Sequence, residues 1–379
     1  MSGIYIHIPF CKQACSYCDF YFVTRKHQQQ AFVDALVDEI LAKKCTRYAK
    51  EKIRTIYFGG GTPSLLTPAQ IEQVFKALES SFILDIKECT MELNPDDVTK
   101  EYLQSIHSLG ITRASMGFQS FEDHLLTFMH RAHTSTEAIQ SLELLAKEGF
   151  NSFTVDLIYG NPNQTIESLN EDLEILTSFN PPHVSAYSLT IEHGTRLGKQ
   201  AELGKINPLS DEKVTQHVQI VRDSLSDGGI DQYEVSNYAK HGHEAKHNSA
   251  YWSHENYLGF GPSAHSFWWE KGSTFAQRWN NKRDIMSYVE GGWKNENEME
   301  YLNLYALAEE RLMLGLRTNN GLNLHVLKEE YEFSFTEKQL MYLTKKNNEG
   351  ILTLSKDQLK LTNEGLLITD LILLDLITA

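Results

Sequence analysis

Three cysteines close to the N-terminus are the residues in this sequence best suited to chemistry. Cys11, Cys15 and Cys18 form a C-x3-C-x2-C segment. Thiolates grouped in this way suit two kinds of metal site. One is zinc, which usually needs a fourth Cys or His, and the other is a [4Fe–4S] cluster in which three irons are ligated and one stays open. Cys45 lies on a helical pattern and Cys89 on a strand pattern, so we expect both to pack as small apolar side chains.

A glycine run and a carboxylate are the next candidates. Gly59 to Gly61 precede Thr62, and a backbone without side chains can approach a ligand closely. A tight turn explains such a run equally well in isolation. Glu92 ends a strand pattern, where its carboxylate either faces a ligand or is solvated. The elements that position these residues must therefore be considered.

Six β-rich segments alternate with amphipathic helical patterns over the first part of the chain. The strand segments are Ile4–Ile8, Thr55–Phe58, Thr90–Leu93, Arg113–Gly117, Phe153–Tyr159 and Val184–Leu189. This alternation indicates parallel strands with right-handed crossovers, and about six units suit an open, curved barrel rather than a closed eightfold one. The predicted fold class is α/β, an open (βα)6-type partial TIM barrel. Because reactive groups of such barrels follow the strands, we expect the motifs on one rim.

The chain is predicted to have three parts. These are a barrel core at residues 1–230, a histidine- and aromatic-rich connecting region at residues 231–300, and a C-terminal module at residues 301–379. In the last part, two short β patterns at Ile351–Leu354 and Leu359–Thr362 indicate a hairpin among helices. We therefore predict a helical, winged-helix-like module that serves packing or partner docking.

Charge and hydropathy exclude several classes of function. The chain has 379 residues, with 35 Lys and Arg against 50 Asp and Glu, for a formal net charge of −15. A general nucleic-acid binder or an electrostatic membrane binder would normally be basic. No run of ~18 apolar residues predicts a membrane-spanning helix, and the first residues lack the basic and apolar pattern of a secretory signal. We expect a cytoplasmic protein that does not bind nucleic acid.

Tyr17 places an aromatic residue directly before the third cysteine, so the segment reads C-x3-C-x-Φ-C. With this residue the chain resembles the radical S-adenosylmethionine (SAM) superfamily. The resemblance implies a [4Fe–4S] cluster on Cys11, Cys15 and Cys18, with SAM chelated by the open iron and cleaved after one-electron reduction. Gly60, Gly61 and Thr62 would correspond to the GGE-type segment near the SAM amino group, with Thr62 in place of the usual acid.

Further motifs narrow the resemblance to the group around the oxygen-independent coproporphyrinogen III oxidase. They occur in the order of that group and cover most of the chain, at Tyr5–Cys11, Gly59–Ser64, Met116–Ser120, His130–Arg131, Asp156–Gly160 and Gly259–Ser266. By this resemblance, Tyr5, Gly60, Glu92 and His265 would line the cluster-bound SAM. Gln119, Arg131 and Asp156 would lie where the oxidase holds a second SAM, although structural salt bridges could also explain the arginine and the aspartate.

Two departures from the oxidase favour its haem-chaperone branch. The oxidase has a fourth cysteine after the third, in a C-x-C pattern, where this chain has Asp19 and Phe20. The oxidase also has an N-terminal extension that helps enclose its porphyrinogen substrate, whereas only ten residues precede Cys11 here. The segment from His247 through Asn248 to Tyr251 and Trp252 also resembles the H-N-x-x-Y-W haem motif of that branch. Imidazole ligates haem iron and aromatic rings stack on the macrocycle. A divalent-metal site or an ordinary polar surface are the alternatives.

Three functions remain open at this point. The first is a haem chaperone that binds haem and passes it to an acceptor protein, with the cluster and SAM gating the process. The second is a radical SAM enzyme that decarboxylates porphyrinogen propionates or transfers a methyl group. The third is an interaction or electron-transfer protein without SAM chemistry. The implied partners are haem, a haem acceptor protein and an electron donor such as a flavodoxin or ferredoxin. One form of the acceptor is a membrane-bound protein that this chain would contact peripherally.

Overall fold

A parallel sheet forms the N-terminal part of the protein. The computed structural model describes residues 2–25, 27–270, 272–295 and 297–378. Its first strands are β1 (Ser2–Ile8), β2 (Lys52–Gly60), β3 (Ile83–Leu93), β4 (Arg113–Gln119), β5 (Ser152–Tyr159) and β6 (His183–Ser188). Each strand pairs in parallel with the next one in the chain. The predicted α/β class and partial barrel are therefore confirmed. Five of the observed strands are longer than their predicted segments, and β6 begins and ends one residue earlier than predicted.

Helices connect these strands and cover the outside of the sheet. They are α1 (Gln29–Ala42), α2 (Pro68–Ser81), α3 (Lys100–Ser108), α4 (Asp123–Phe128), α5 (Ser135–Lys147), α6 (Ile166–Ser178), α7 (Arg196–Glu202) and α8 (Asp211–Asp227). Capping boxes start α2 at Thr67 and Gln70 and α5 at Thr134 and Glu137. Apolar side chains of the helices pack against the outer face of the sheet in one large core.

The sheet continues beyond both edges of the barrel. The further elements are β7 (Asp231–Gln232), β8 (Asn237–Ala239), α9 (Lys246–Trp252), β9 (Asn256–Phe260), β10 (His265–Trp268), β11 (Phe275–Asn280), α10 (Ile285–Val289) and β12 (Asn297–Asn303). In the part of the chain that the structure describes, the sheet order is β12-β11-β10-β9-β1-β2-β3-β4-β5-β6-β8-β7. Residues 231–300 therefore flank the barrel on both sides, which the sequence analysis did not predict. The domain boundaries remain predictions.

The C-terminal part packs as a separate apolar cluster. It contains α11 (Leu304–Gly315), β13 (Leu322–Asn323), α12 (Leu324–Tyr331), α13 (Glu337–Asn348), β14 (Leu352–Leu354), β15 (Gln358–Leu361), α14 (Asn363–Leu367) and α15 (Thr369–Thr378). The predicted hairpin is present as β14 and β15, and β13 pairs with the free edge of β15. Within the described residues, no helix combines the length and apolarity needed to cross a membrane.

The two isolated cysteines differ in their surroundings. Cys89 lies buried on β3, as expected. Cys45 is exposed, so its predicted packing role is wrong. The helical pattern ends earlier than the sequence suggested, because α1 stops at Ala42 and Lys43 takes the C-cap position. Cys45 thus falls in the following turn, beyond the apolar face of the helix.

Candidate functional site

A polar cavity of about 700 Å³ occupies the barrel lumen. Its upper rim carries the predicted cysteine and glycine motifs, and its wall follows the strands downward. On β4, every second residue borders this cavity, namely Arg113, Ser115, Gly117 and Gln119, because side chains alternate across a strand. The cavity therefore extends over the full length of β4, and its size is typical of small-molecule sites.

The cysteine loop is fixed to its surroundings by backbone hydrogen bonds. Cys11 donates its N–H to Val23 at 3.0 Å, and Ser16 donates its N–H to Met129 at 3.0 Å. The Ser16 hydroxyl also donates to the Phe128 carbonyl. These contacts hold the loop across the rim, so that all three cysteines of the motif line the cavity.

Two of the cysteine sulfurs accept hydrogen bonds. The Thr62 hydroxyl donates to Cys11 Sγ at 3.6 Å, and Arg131 Nη1 donates to Cys15 Sγ at 3.4 Å. Burial raises the pKa of Cys11 to about 11 and that of Cys18 to about 12. Without metal these two residues therefore remain thiols at neutral pH, and a bound metal would have to stabilise their thiolates.

The donor set fits a [4Fe–4S] cluster. It consists of three sulfurs on one fixed loop, with hydrogen-bond donors beside two of them. Over the described ranges, no three His, Cys, Asp or Glu side chains converge on a single ion position. A cluster does not require such convergence, because each cysteine ligates a different iron.

The glycine run passes directly against the first strand and the cysteine loop. A Cβ atom on Gly60 would lie 2.6 Å from the His7 ring, and Gly60 also has a φ of 110°. A Cβ atom on Gly61 would lie 2.7 Å from the Phe10 carbonyl oxygen and 3.0 Å from Cys11 Sγ. Close approach of the backbone therefore requires glycine at both positions.

Glu92 is held inside the cavity by two donors. The Tyr57 hydroxyl donates to Oε1 at 2.8 Å, and the Gly60 N–H donates to Oε2 at 3.1 Å. Burial raises the pKa of Glu92 to about 7, and the nearby Asp156 contributes to the rise, while the two hydrogen bonds oppose it. The carboxyl group is thus poised between its two protonation states near neutral pH.

Gln119, Arg131 and Asp156 also line the cavity. Arg131 Nη2 donates to Asn94 Oδ1 at 2.9 Å and to the Gly117 carbonyl at 2.7 Å. Among the described residues, the guanidinium thus donates to a sulfur, an amide oxygen and a backbone carbonyl rather than to a carboxylate. Burial raises the pKa of Asp156 to about 7, and hydrogen bonds from Ser185 and Ser115 oppose that rise.

Two residues expected near SAM lie outside the cavity lining. The Tyr5 hydroxyl is 3.2 Å from His7 Nδ1, and its ring stacks 6.0 Å from that of Tyr57. His265 is exposed at the start of β10, opposite Asn280. The cavity does include the other residues expected there, which are Tyr17, Gly60, Gly61, Thr62, Glu92, Gln119, Arg131 and Asp156.

His247 lies at the opposite, lower end of the barrel on α9. Its side chain is only 2 % exposed. Nδ1 is 2.9 Å from Thr55 Oγ1 and Nε2 is 2.9 Å from the Tyr251 hydroxyl, so both ring nitrogens are hydrogen-bonded. Burial lowers the pKa of His247 to about 3 and keeps the ring neutral.

The rest of the predicted haem segment surrounds this histidine. Asn248 lines the floor of the cavity. Tyr251 and Trp252 are half-buried, and Trp252 Nε1 is buried with no hydrogen-bond partner among the described residues. His254, further along, stacks 4.6 Å from Phe267 and approaches Glu310. His247 and His254 therefore lie in different surroundings, and they do not share one site.

Sequence reasoning missed several residues that line the cavity. Among them are Arg113, Ser115, Thr154, His183 and Ser185. The signal was present as polar residues at every second position of β4, β5 and β6, on strands whose other face is apolar. This period-two pattern indicates a polar lumen, but the sequence analysis located these strands without separating their two faces.

Comparison with known proteins agrees with the fold and with the cysteine motif. The family model described as "Radical SAM superfamily" matches residues 5–176, and the model described as "HemN C-terminal domain" matches residues 302–368. The solved structure titled "Coproporphyrinogen III oxidase (HemN) from Escherichia coli is a Radical SAM enzyme" superimposes with a TM-score of 0.81. It covers 98% of this chain and 89% of that chain at 22% identity, which establishes the shared fold. The protein thus has a radical SAM domain followed by a HemN-type C-terminal domain.

Curated relatives specify the family. "Heme chaperone HemW" of Lactococcus lactis is 33% identical over 96% of this chain and 94% of its own length. The Bacillus subtilis protein of the same name is 32% identical over 97% of each chain. The mouse "Radical S-adenosyl methionine domain-containing protein 1, mitochondrial" is 31% identical over 99% of this chain and 87% of its own. The chain belongs to the HemW family of radical SAM proteins. Radical SAM membership implies a [4Fe–4S] cluster and SAM as cofactors.

Proposed function

We propose that this protein is a haem chaperone, which binds haem and transfers it to an acceptor protein. The observation that carries the proposal is similarity over nearly the full length of relatives named for this activity. A local departure from the oxidase also favours the chaperone. Phe20 replaces the fourth cysteine of the oxidase, and its side chain is 66% exposed beside the cavity.

We further propose how the chain holds its cofactors. Cys11, Cys15 and Cys18 would ligate three irons of the cluster, and Gly60 with Glu92 would face the bound SAM. When bound, the cluster supplies an electron and SAM supplies a cleavable sulfonium. The chain positions both. Thr62 and Arg131 donate hydrogen bonds to the sulfurs of Cys11 and Cys15. The glycine run has no side chains and therefore passes close to β1 and to the cysteine loop.

The same proposal assigns His247, Asn248, Tyr251 and Trp252 to haem. His247 is neutral, as an iron ligand must be, and aromatic side chains adjoin it. The haem acceptor, an electron donor such as a flavodoxin or ferredoxin, peripheral contact with a membrane-bound acceptor and a cytoplasmic location belong to this proposal as well.

A haem titration tests the function. Anaerobically reconstituted protein is titrated with haem while the Soret band is recorded, and the haem-loaded protein is then mixed with apomyoglobin as a generic acceptor. We expect saturation near one haem per chain and transfer to the acceptor. His247→Ala should weaken binding and change the spectrum, whereas His325→Ala, at an exposed position on α12, should not. Binding that never saturates would contradict the proposal.

A second candidate is decarboxylation of a porphyrinogen. It is favoured by the convergence of Gln119, Arg131 and Asp156 on the cavity wall. An anaerobic assay for carbon dioxide release from coproporphyrinogen III, with SAM and a reductant, distinguishes the two functions. Carbon dioxide release without saturable haem binding would replace the chaperone by this enzyme. Haem binding without carbon dioxide release supports the chaperone alone.

A further inference from the structure

We propose that α9 is a latch that closes the lower end of the barrel, and that His247 becomes accessible to haem only when α9 moves away from β2 and β3. Glu88 and Thr55 are the residues that hold the latch closed. This inference rests on the proposed function, because it concerns the regulation of the same haem segment.

The first observation is the state of the imidazole. Each ring nitrogen of His247 already has a hydrogen-bond partner, Thr55 on one side and Tyr251 on the other. The ring is also enclosed on the side of β1, because a Cβ atom on Gly3 would lie only 3.2 Å from its Cε1 atom. An iron atom needs a free ring nitrogen and an open approach to it. While α9 stays in place, Nδ1 is held by Thr55 on β2 and the approach to it is closed, whereas Tyr251 lies on α9 itself and moves with the histidine.

The second observation is the contact between Glu88 and the start of α9. Glu88 Oε1 accepts the His247 N–H at 2.9 Å, and Oε2 accepts the Lys246 N–H at 3.0 Å. Glu88 is 5 % exposed, so these are hydrogen bonds to a buried side-chain acceptor. They fix the helix to β3 through its own backbone.

Arg113 supports this contact from the next strand. Its Nη1 lies 4.0 Å from Glu88 Oε2 and donates to the His243 carbonyl at 3.0 Å. It also donates to Ser152 and Thr154 on β5. The residues just before α9 are thus tied to the same buried cation, and the latch has one attachment at Glu88 and another at His243.

Opening the latch would also open the cavity. Ala245, the N-cap residue of α9, and Asn248 on α9 line the cavity together with the cysteines of the rim. Displacement of α9 would therefore uncover His247 and the cavity floor in one movement. The apparent haem affinity of such a protein equals the affinity of the open form multiplied by the open fraction.

The inference predicts that weakening the latch increases haem binding. Thr55→Val removes the partner of Nδ1 at nearly constant volume, and Glu88→Gln weakens the acceptor of the two backbone N–H groups. We expect each variant to bind haem about tenfold faster and tighter than the parent, the effect of ~1.4 kcal/mol on the opening equilibrium. Stopped-flow mixing with haem and the Soret band measure this. A purely structural role would leave binding unchanged or reduce it.

Matched controls isolate the effect. Thr353→Val on β14 and Glu329→Gln on α12 make the same changes at exposed positions and should bind like the parent. Adding His247→Ala to Thr55→Val should abolish the gain. If the gain persists without His247, or if neither latch variant binds faster than a parent that does bind haem, the latch is overturned while the chaperone function stands.

Hydrogen exchange tests the latch without haem. We expect the Lys246 and His247 amides of the full-length protein to exchange by local opening, and faster in Glu88→Gln than in Glu329→Gln. Exchange of these amides only at the rate of the barrel core would overturn the latch. Failure of the parent to bind haem would instead overturn the proposed function, so the two results are distinguishable.

Discussion

Tyr57 donates a 2.8 Å hydrogen bond from its hydroxyl to Glu92 Oε1. The other side of the same side chain faces the lower barrel, where its ring lies 5.1 Å from that of His247. A single residue of β2 thus contacts both the carboxylate assigned to SAM and the histidine assigned to haem. Glu92 and His247 are therefore separated by one side chain, although the cysteine rim and α9 lie at opposite ends of the barrel.

Tyr57→Phe tests the upper contact alone. The variant keeps the ring beside His247 but removes the donor that opposes the rise in the pKa of Glu92. Glu92 should then be more protonated at neutral pH, and we expect SAM binding to weaken several-fold. Equilibrium dialysis of reconstituted protein with SAM measures the effect. Tyr305→Phe, an exposed tyrosine of α11, should bind SAM like the parent.

Glu92 should make stability depend on pH. Its folded-state pKa is about 7, above its ordinary value of 4.5. Below pH 4.5 the carboxyl group is mostly protonated in both the folded and the unfolded protein, and the free energy of unfolding has its full value. That free energy falls as the pH rises through 7, because the buried group must then ionise in the folded protein. Glu92→Gln removes that loss. We therefore expect the variant to unfold like the parent at pH 4.5 but to be more stable at pH 8, by on the order of 1–3 kcal/mol.

Thermal or urea unfolding of the metal-free protein at both pH values measures this difference. Glu329→Gln, at an exposed position, serves as the control and should show the same pH dependence as the parent. An equal shift of Glu92→Gln at pH 4.5 and pH 8 would show that Glu92 does not carry the raised pKa.

Replacing any one cysteine of the motif should prevent cluster assembly. We expect Cys11→Ser, Cys15→Ser and Cys18→Ser to lose bound iron, sulfide and the visible absorbance after anaerobic reconstitution, since three ligands are the minimum for this kind of site. Cys45→Ser, at the exposed cysteine after α1, should retain them. A motif variant that kept full iron and sulfide would remove that cysteine from the ligand set.

Gly61→Ala tests the close approach of the glycine run to the cysteine loop. The added Cβ atom would meet the Phe10 and Ile8 carbonyl oxygens and Cys11 Sγ at 2.7 to 3.0 Å, so the loop must shift. We expect destabilisation of ~1–3 kcal/mol, as for other overpacked positions, together with reduced iron content. Gly228→Ala, after α8, has its nearest neighbour at 3.3 Å and should cause much less. Urea unfolding and iron analysis provide the readout, and equal effects of both changes would contradict this prediction.

Local patterns accounted for the barrel and for the position of its rim. Alternating strand and helix patterns predicted β1 to β6, and capping boxes at Thr67 and Thr134 begin two of the helices between these strands. The strands β9 to β12 were not predicted. They come from a glycine- and aromatic-rich region without clear periodicity, and β9 becomes a strand by pairing with β1, more than 250 positions earlier in the chain.

What the sequence alone determined is therefore the type of chemistry. Residue type and short spacing define the cysteine motif and the glycine run, and the strand pattern puts Glu92 near the end of a strand. Only the tertiary structure decided the state of His247. Its burial results from contacts with Gly3, Thr55 and Glu88, which lie on three different strands far from it in sequence. No local pattern encodes such long-range packing, because it depends on how the sheet curves and on where α9 meets it.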